Sequence, residues 1–508
     1  MSTALFRGRR LAPVRHATAA DSGTAVPAAA PPWSGGLRRD VGLLTALAFA
    51  VRLFALDHQP LWRDEAFTRL VARRDLGGML DAVRHDSAPP LAYLLAHWTL
   101  GIADTVWMLR LPAVLAGVLA VPLVAALGRR AGGDRAARCC AGLGALAPSM
   151  VLPSRDARMY ALGATLVLAV LLTLWRAAER PTRGRLVGLG LATAGALLTQ
   201  YLTAFAIAAT VAAVALALRP SRGTLVRCGA AMAAGAIPLL AWLPAAAPQF
   251  HHAAGSFWVP PTGGAGLLGA LTEWLAGPSV DPGIPHRALL QVAQGGSITL
   301  LGIAGLALIH RTALRRGTDE ETRSVLLLAG AGFGGVVLLL AVSLVHPLFD
   351  ARYASLLWPP LTVLLGVGIA TLRPRRLGSL PLGSVAAATL LLVLVPLRAD
   401  VVPLVATLST APAPGTVVFA HREVYLQVLL DENPAQQTVT RVPSPTLDWF
   451  WGTAAYPADA LVVAPPPGTV EIDEIVQGDG GDGAEVPTGF HRVRHTCAVD
   501  ACLTVWRR

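Results

Sequence analysis

The 508-residue chain contains no lysine: all 42 of its basic residues are arginine, and against 31 acids they leave a net charge of +11. A basic balance can serve nucleic acid, but these arginines form no single patch. They recur in short clusters between apolar stretches, as positive-inside topology signals do, which argues against a nucleic-acid partner. Charge of either sign is scarce. Only 14% of residues are charged, against roughly 25% in soluble domains. With 54% hydrophobic residues and a mean hydropathy of +0.55, the composition excludes an ordinary soluble protein and indicates a polytopic membrane protein. Cysteine is rare too. Cys139, Cys140 and Cys228 lie in or beside apolar spans and read as small core residues. Cys497 and Cys502 close a short loop near the C-terminus, a spacing that suits a disulfide in an oxidising compartment and no zinc ligand set. A cleavable signal peptide, a fixed-period repeat and a Gly-rich phosphate loop in the C-terminal part are all missing. The Gly478–Gly483 run carries Asp479 and Asp482 and reads as a flexible turn.

The pattern that remains predicts about eleven transmembrane helices. Residues 1–40 read as a disordered cytosolic leader, 41–397 as the membrane catalytic domain, and 398–508 as a small extracytoplasmic α/β domain. The first span, near 42–57, runs outward and carries Arg52, which faces the protein interior. Segment 58–106 is then extracytoplasmic, with short interfacial helices such as one from Pro90 to Leu100. Later spans turn inside at Arg129–Arg138, Arg176–Arg185, Arg219–Arg227, His310–Arg316 and Arg373–Arg376. A long outer loop covers about 247–288. In the tail, strand-like runs at Thr416–Ala420, Ala460–Ala464 and Leu503–Trp506 alternate with a helical pattern from Glu423 to Leu430.

The unusual polar residues gather on one face. The run Trp62-Arg63-Asp64-Glu65-Ala66-Phe67 follows the first span, and His85-Asp86-Ser87-Ala88-Pro89-Pro90 comes about twenty residues later. Carboxylates at a membrane edge are costly and read as a site. Asp64 or Glu65 serves either as a general base toward an acceptor hydroxyl or as the ion-pair partner of Arg63 or Arg69. Asp86 either caps a helix that starts at the prolines or joins Asp64 or Glu65 in holding a divalent cation. Arg155, Arg158 and Arg352 lie outside against the positive-inside trend, which fits binding of an anion there. His251, His252 and Glu273 match no metal signature and read as loop residues. Trp62, Trp98, Trp107 and Trp258 read as interfacial anchors.

These motifs together resemble the GT-C-fold glycosyltransferases of the protein O-mannosyltransferase and aminoarabinose transferase superfamily, in particular its bacterial membrane mannosyltransferases. The resemblance covers roughly residues 42–376. It rests on Arg52, the Asp64-Glu65 and Asp86 segments, Leu109-Arg110-Leu111-Pro112, Ser154-Arg155-Asp156-Ala157-Arg158-Met159-Tyr160, Thr199-Gln200-Tyr201, and Asp350-Ala351-Arg352-Tyr353 with Pro359. It implies a polyprenyl-phosphate sugar donor, the mannosyl one by resemblance to the mannosyltransferases, and inverting transfer to an acceptor hydroxyl on the outer face of the bacterial plasma membrane. It also implies Asp64 as the catalytic acid with Glu65 beside it and Asp86 in the second half of the loop. Arg158, Tyr160, Arg352 and Tyr353 fall near the donor phosphate, with Arg155 beside them. Gln200 stands where many relatives carry histidine. The acceptor is a protein, a lipid or a glycan. The alternatives are the same fold with an arabinofuranosyl or aminosugar donor, a transporter or flippase, and a non-catalytic assembly subunit. The transporter reading suits this chain less well, because its polar groups gather at one face rather than at mid-membrane in two related halves.

Overall fold

The computed structural model describes residues 32–253, 259–279, 286–313, 318–395, 397, 401–408, 411–421, 424–430, 438–443, 460–477, 488–498 and 501–508, all except Pro32 in one compact unit, Trp33–Arg508. Nearly all of the expected leader, the side chains of His251 and His252, Trp258 and the Gly478–Gly483 turn lie outside the described residues.

Apolar helices dominate. In chain order they are α1 (Gly35–Leu53), α2 (Arg63–Ala72), α3 (Leu76–Val83), α4 (Leu91–Ile102), α5 (Val106–Leu146), α6 (Pro148–Val151), α7 (Tyr160–Glu179), α8 (Arg183–Thr199), α9 (Thr203–Leu218) and α10 (Arg222–Ala253). There follow α11 (Gly264–Ala276), α12 (Arg287–Ala313), α13 (Asp319–Ser343), α14 (Ala351–Ala354), α15 (Pro359–Thr371), α16 (Ser379–Leu394), α17 (Val402–Val405) and α18 (Tyr425–Leu429). Among the described residues, six helices are long and apolar enough to cross a membrane unaided: α5, α7, α10, α12, α13 and a stretch running through α16. The chain is a multi-pass membrane protein. Leu240, Leu306, Ile309 and Leu326 are exposed on these helices, as side chains facing hydrocarbon are.

Each span read from the sequence is helical, with shifted ends. Ser34 caps α1 through its side chain, so that helix starts at Gly35 and ends at Leu53 rather than spanning 42–57. The expected second and third spans form one run, α5, broken by non-helical backbone at Gly132 and Gly133. Gly133 has φ +74°, a conformation open to glycine and strained for other residues. The two arms fold back on each other there. Val121, Ala125, Ala137, Ala141 and Ala145 pack into a shared apolar cluster. The outer loop after α10 contains α11, a helix the composition alone did not announce.

The arginine-rich ends gather away from the acidic loops. Arg138 donates to Asp40 at 2.6 Å, Arg130 pairs with Glu179, and Arg135 donates to the carbonyls of Leu372 and Arg375. At the other end of α1, buried Arg52 donates to the carbonyls of Ala48, Gly144, Ala145 and Met150 at 2.9–3.2 Å. Gly117 makes room for it, since a Cβ there would lie 2.7 Å from Arg52 Nε and 2.4 Å from Ser154 Cβ. This is the interior position expected for Arg52.

The C-terminal part is a six-stranded sheet of β1 (Thr416–Ala420), β2 (Thr440–Pro443), β3 (Leu461–Val462), β4 (Glu471–Gln477), β5 (His491–Ala498) and β6 (Ala501–Arg507). The order is β3-β2-β1-β4-β6-β5. Strands β3, β2, β1 and β4 pair in parallel, and β6 pairs antiparallel with both β4 and β5. Cys497 and Cys502 face each other across β5 and β6 and are disulfide-bonded, while Cys139, Cys140 and Cys228 are buried and free.

Candidate active site

The first turn of α2 carries both loop acids. Trp62 precedes it, and Asp64 and Glu65 sit where the exposed N–H groups of a helix start favour negative charge. The two acids then diverge. Glu65 is fully buried and gripped by the fork of Arg110, with Nε to Oε1 at 2.8 Å and Nη2 to Oε2 at 2.7 Å. The Ala157 backbone N–H donates to Glu65 Oε1 at 2.7 Å. Arg110 also donates to the carbonyls of Leu56, Gln59 and Pro60. This one ion pair joins the start of α5, the entry to α2 and the 152–158 segment. Sequence reasoning put Glu65 beside the chemistry; its geometry is that of a tether.

Asp64 is held differently. Its Oδ2 lies 3.5 Å from Arg352 Nη1 and its Oδ1 lies 3.6 Å from Arg63 Nε, yet Oδ1, although buried, accepts no hydrogen bond among the described residues. A buried carboxylate oxygen left without a donor is uncommon and marks a place where a substrate group can bind. Arg69, the other partner considered for these acids, pairs instead with Asp104. Arg352 has its guanidinium 5.4 Å from the centre of the Trp62 ring, and its Nε donates to Asp350 Oδ1 at 3.2 Å. Asp350 also accepts from the Arg352 backbone N–H, which fixes the start of α14.

Asp86 caps no helix: Pro90 stands at the start of α4 without a side-chain cap. Its Oδ2 instead accepts from Tyr93 Oη at 2.5 Å. Arg158 Nη1 donates to the same Tyr93 oxygen at 3.0 Å and to Thr68 Oγ1 at 3.1 Å. Burial pushes the Asp86 carboxyl up, against the downward pull of Arg158 and Tyr93. Tyr93, absent from the sequence reading, is therefore the link between two residues that were in it. It stands seven positions after Asp86, on the helix that the prolines start.

Arg155, expected beside a donor phosphate, lines a cavity at this site and is anchored there by backbone carbonyls. Its terminal nitrogens donate to the carbonyls of Val51, Arg52, Phe54 and Ala55 at 2.6–3.2 Å, so it closes the C-terminal end of α1. The last carbonyls of a helix carry negative partial charge and attract such a cation. Tyr160 and Tyr353 lie against each other with ring centres 6.4 Å apart. Tyr201 hydrogen-bonds Gln249 and Trp242, which ties the start of α9 to α10.

A cavity of about 530 Å³ opens beside these groups. Trp62, Arg63, Asp156, Tyr160 and Arg352 line one part of it. The two arginines that flank Asp64 are thus in the wall, with Asp64 against them and outside the lining itself. Glu273 and Trp274 of α11 form another part, and Gln427 and Gln477 of the C-terminal sheet region complete it. Glu273, read from sequence as a loop residue, is therefore a cavity carboxylate. Among the described residues the acids of this site do not converge into a three-ligand cation cluster. The one such grouping, His495 with Cys497 and Cys502, has both cysteines in the disulfide.

Comparison with known proteins agrees with this architecture. Residues 86–247 match the family described as dolichyl-phosphate-mannose-protein mannosyltransferase. ArnT from Cupriavidus metallidurans in the apo state superposes with a TM-score of 0.63 at 14% identity, over 92% of this chain and 98% of that one. The same protein bound to undecaprenyl phosphate gives a TM-score of 0.55 at 14% identity, over 92% and 97%. No curated protein sequence matches significantly. The chain has the GT-C fold of the membrane glycosyltransferases, and its residues 86–247 carry the match to the mannosyltransferase family of that superfamily.

Proposed function

We propose that this chain is an inverting glycosyltransferase that moves a sugar, mannose, from a polyprenyl-phosphate donor to an acceptor hydroxyl at the outer face of a bacterial plasma membrane. The observation that carries this reading is Asp64, a buried carboxylate with one unbonded oxygen, set against two arginines that line a cavity. The match over residues 86–247 supports the mannosyl donor, and undecaprenyl phosphate in an ArnT of the same fold supports the lipid.

The chemistry follows from these groups. Outside the cell no nucleotide-sugar pool exists, so the donor is membrane-held. The acceptor oxygen attacks the anomeric carbon as the bond from that carbon to the phosphate oxygen breaks. The electron pair leaves on the phosphate, and the hydroxyl proton passes to the Asp64 carboxylate. An aligned carboxylate base contributes about 10²–10⁴ in rate. Arg352 and Arg63 face the charge that grows on the leaving phosphate, and removing one such contact costs about 10²–10³. Glu65 and Arg155 act as positioning residues that hold α2 and the end of α1.

The test is transfer of radiolabelled mannose from a synthetic polyprenyl-phosphomannose in membranes, with Asp64→Asn and Arg352→Ala at matched protein levels. The expected result is activity in the wild type, a loss of about 10²-fold or more in each variant, and unchanged membrane abundance. Near-normal turnover of Asp64→Asn would remove Asp64 as the base.

A further inference from the structure

Glu273 stands out among the cavity groups. It lies on α11, in a loop between two spans, and lines the cavity next to Trp274. Among the described residues its carboxylate forms no hydrogen bond and no ion pair. Its electrostatic neighbours are Asp350 and Arg352. Burial, and then the Asp350 charge, push its carboxyl up. A half-buried acid without a partner is costly to keep, and a phosphate next to it would be repelled.

The surroundings limit what it can meet. Arg352 and Arg63 occupy the part of the wall suited to an anion. Glu273 and Arg352 line the same cavity, within electrostatic reach of each other. A sugar joined directly to a phosphate must lie next to that phosphate, so the cavity space beside Glu273 and Trp274 is where the sugar ring falls. The wall there is aromatic and fixed. Trp274 packs on Trp358 with ring centres 5.6 Å apart, and its Nε1 donates to Thr362 Oγ1 at 3.3 Å. A carboxylate beside a rigid indole offers hydrogen-bond acceptors for hydroxyls and a flat surface for the C–H face of a pyranose.

We propose that Glu273 reads the sugar of the lipid-linked donor, its carboxylate accepting hydrogen bonds from the hydroxyls of a neutral hexosyl ring that rests on Trp274. This rests on the donor reading given above. It makes Glu273 a specificity residue, distinct from the Asp64 base and the arginine phosphate contacts.

The experiment uses the full chain in lipid nanodiscs. Binding is measured for short-chain polyprenyl phosphate, its mannosyl ester, the four mono-deoxymannosyl esters and an aminopentosyl ester, to the wild type and to Glu273→Gln. In the wild type at least one deoxy ester should bind about tenfold or more weakly than the mannosyl ester, as expected for loss of a hydrogen bond to a charged group. In Glu273→Gln that difference should fall to about two- to threefold, with bare polyprenyl phosphate bound as before. Retained affinity for the bare lipid shows that the variant is folded. Tighter binding of the aminopentosyl ester that disappears in Glu273→Gln overturns the neutral-hexosyl proposal, because Glu273 then pairs with a cationic amine. Equal deoxy losses in the two proteins, or no discrimination by the wild type while bare lipid binds, overturn the proposal and leave the donor reading standing. Failure of every lipid to bind the wild type overturns the donor reading, and this proposal with it.

Discussion

At the scale of single residues, neighbours in sequence have unlike tasks. Asp64 and Glu65 are adjacent, yet one keeps an unbonded oxygen near a cavity and the other is clamped by Arg110 and Ala157. Removing one partner of a buried ion pair leaves an uncompensated charge and costs about 3–5 kcal/mol. We therefore expect Glu65→Ala and Arg110→Ala to lower the melting temperature in detergent and the amount of protein in membranes, and Glu65→Ala with Arg110→Met to recover part of both. Asp64→Asn should leave both near wild type. A melting temperature unmoved by Glu65→Ala would remove the tether role. The sequence made the acids and arginines visible because charge is so rare in this chain. It did not separate their roles, because separating Glu65 from Asp64 needs Arg110, which arrives from 45 positions later. Arg155 lines the cavity as well, but the carbonyls of Val51 to Ala55 that hold it are backbone groups that carry no sequence signal.

At the scale of elements, helices were legible and their ends were not. Arginine clusters and apolar runs located the apolar helices, but Ser34 started α1 early and Gly132–Gly133 turned one run into a hairpin. Helix α11 was missed because its sequence, rich in Gly and Leu, reads equally as loop or span. In the tail, strands β1 and β6 fell on the expected runs, whereas β4 and β5 carry too many charges to show an apolar pattern. One of those charges has a consequence. Asp473 of β4 is buried, and that burial, aided by Glu471, pushes its carboxyl up to about 6. Because the folded value is above the unfolded one, the group favours the fold at pH below about 4 and loses that contribution as pH rises through about 6. A pKa unit corresponds to about 1.4 kcal/mol, so the ionised form costs roughly 1–3 kcal/mol at neutral pH. Asp473→Asn should therefore raise the melting temperature at pH 7.5 and have a smaller effect at pH 4.5. An effect equal at both pH values would assign the change to something other than ionisation.

At the scale of the whole molecule, the cavity draws on regions distant in sequence, among them the α2 entry, the stretch from α6 to the start of α7, the α11–α14 segment and the C-terminal tail. The tail is held to the membrane part through Gln427, whose Nε2 donates to the Leu61 carbonyl at 2.7 Å, immediately before the helix that bears Asp64. Its Gln477, at the end of β4, lines the same cavity. A ligand in that cavity therefore binds the docked tail better than the undocked one, and by reciprocity it must secure the tail. At a hundredfold excess over Kd such coupling reaches about 2.7 kcal/mol, close to a hundredfold fewer openings. Limited digestion should then cut tail loops more slowly when a donor lipid is present, and at an unchanged rate when the added lipid lacks the phosphate. On this account the C-terminal tail works as a reporter of occupancy: its susceptibility to a protease reads out whether the pocket it helps to line is loaded.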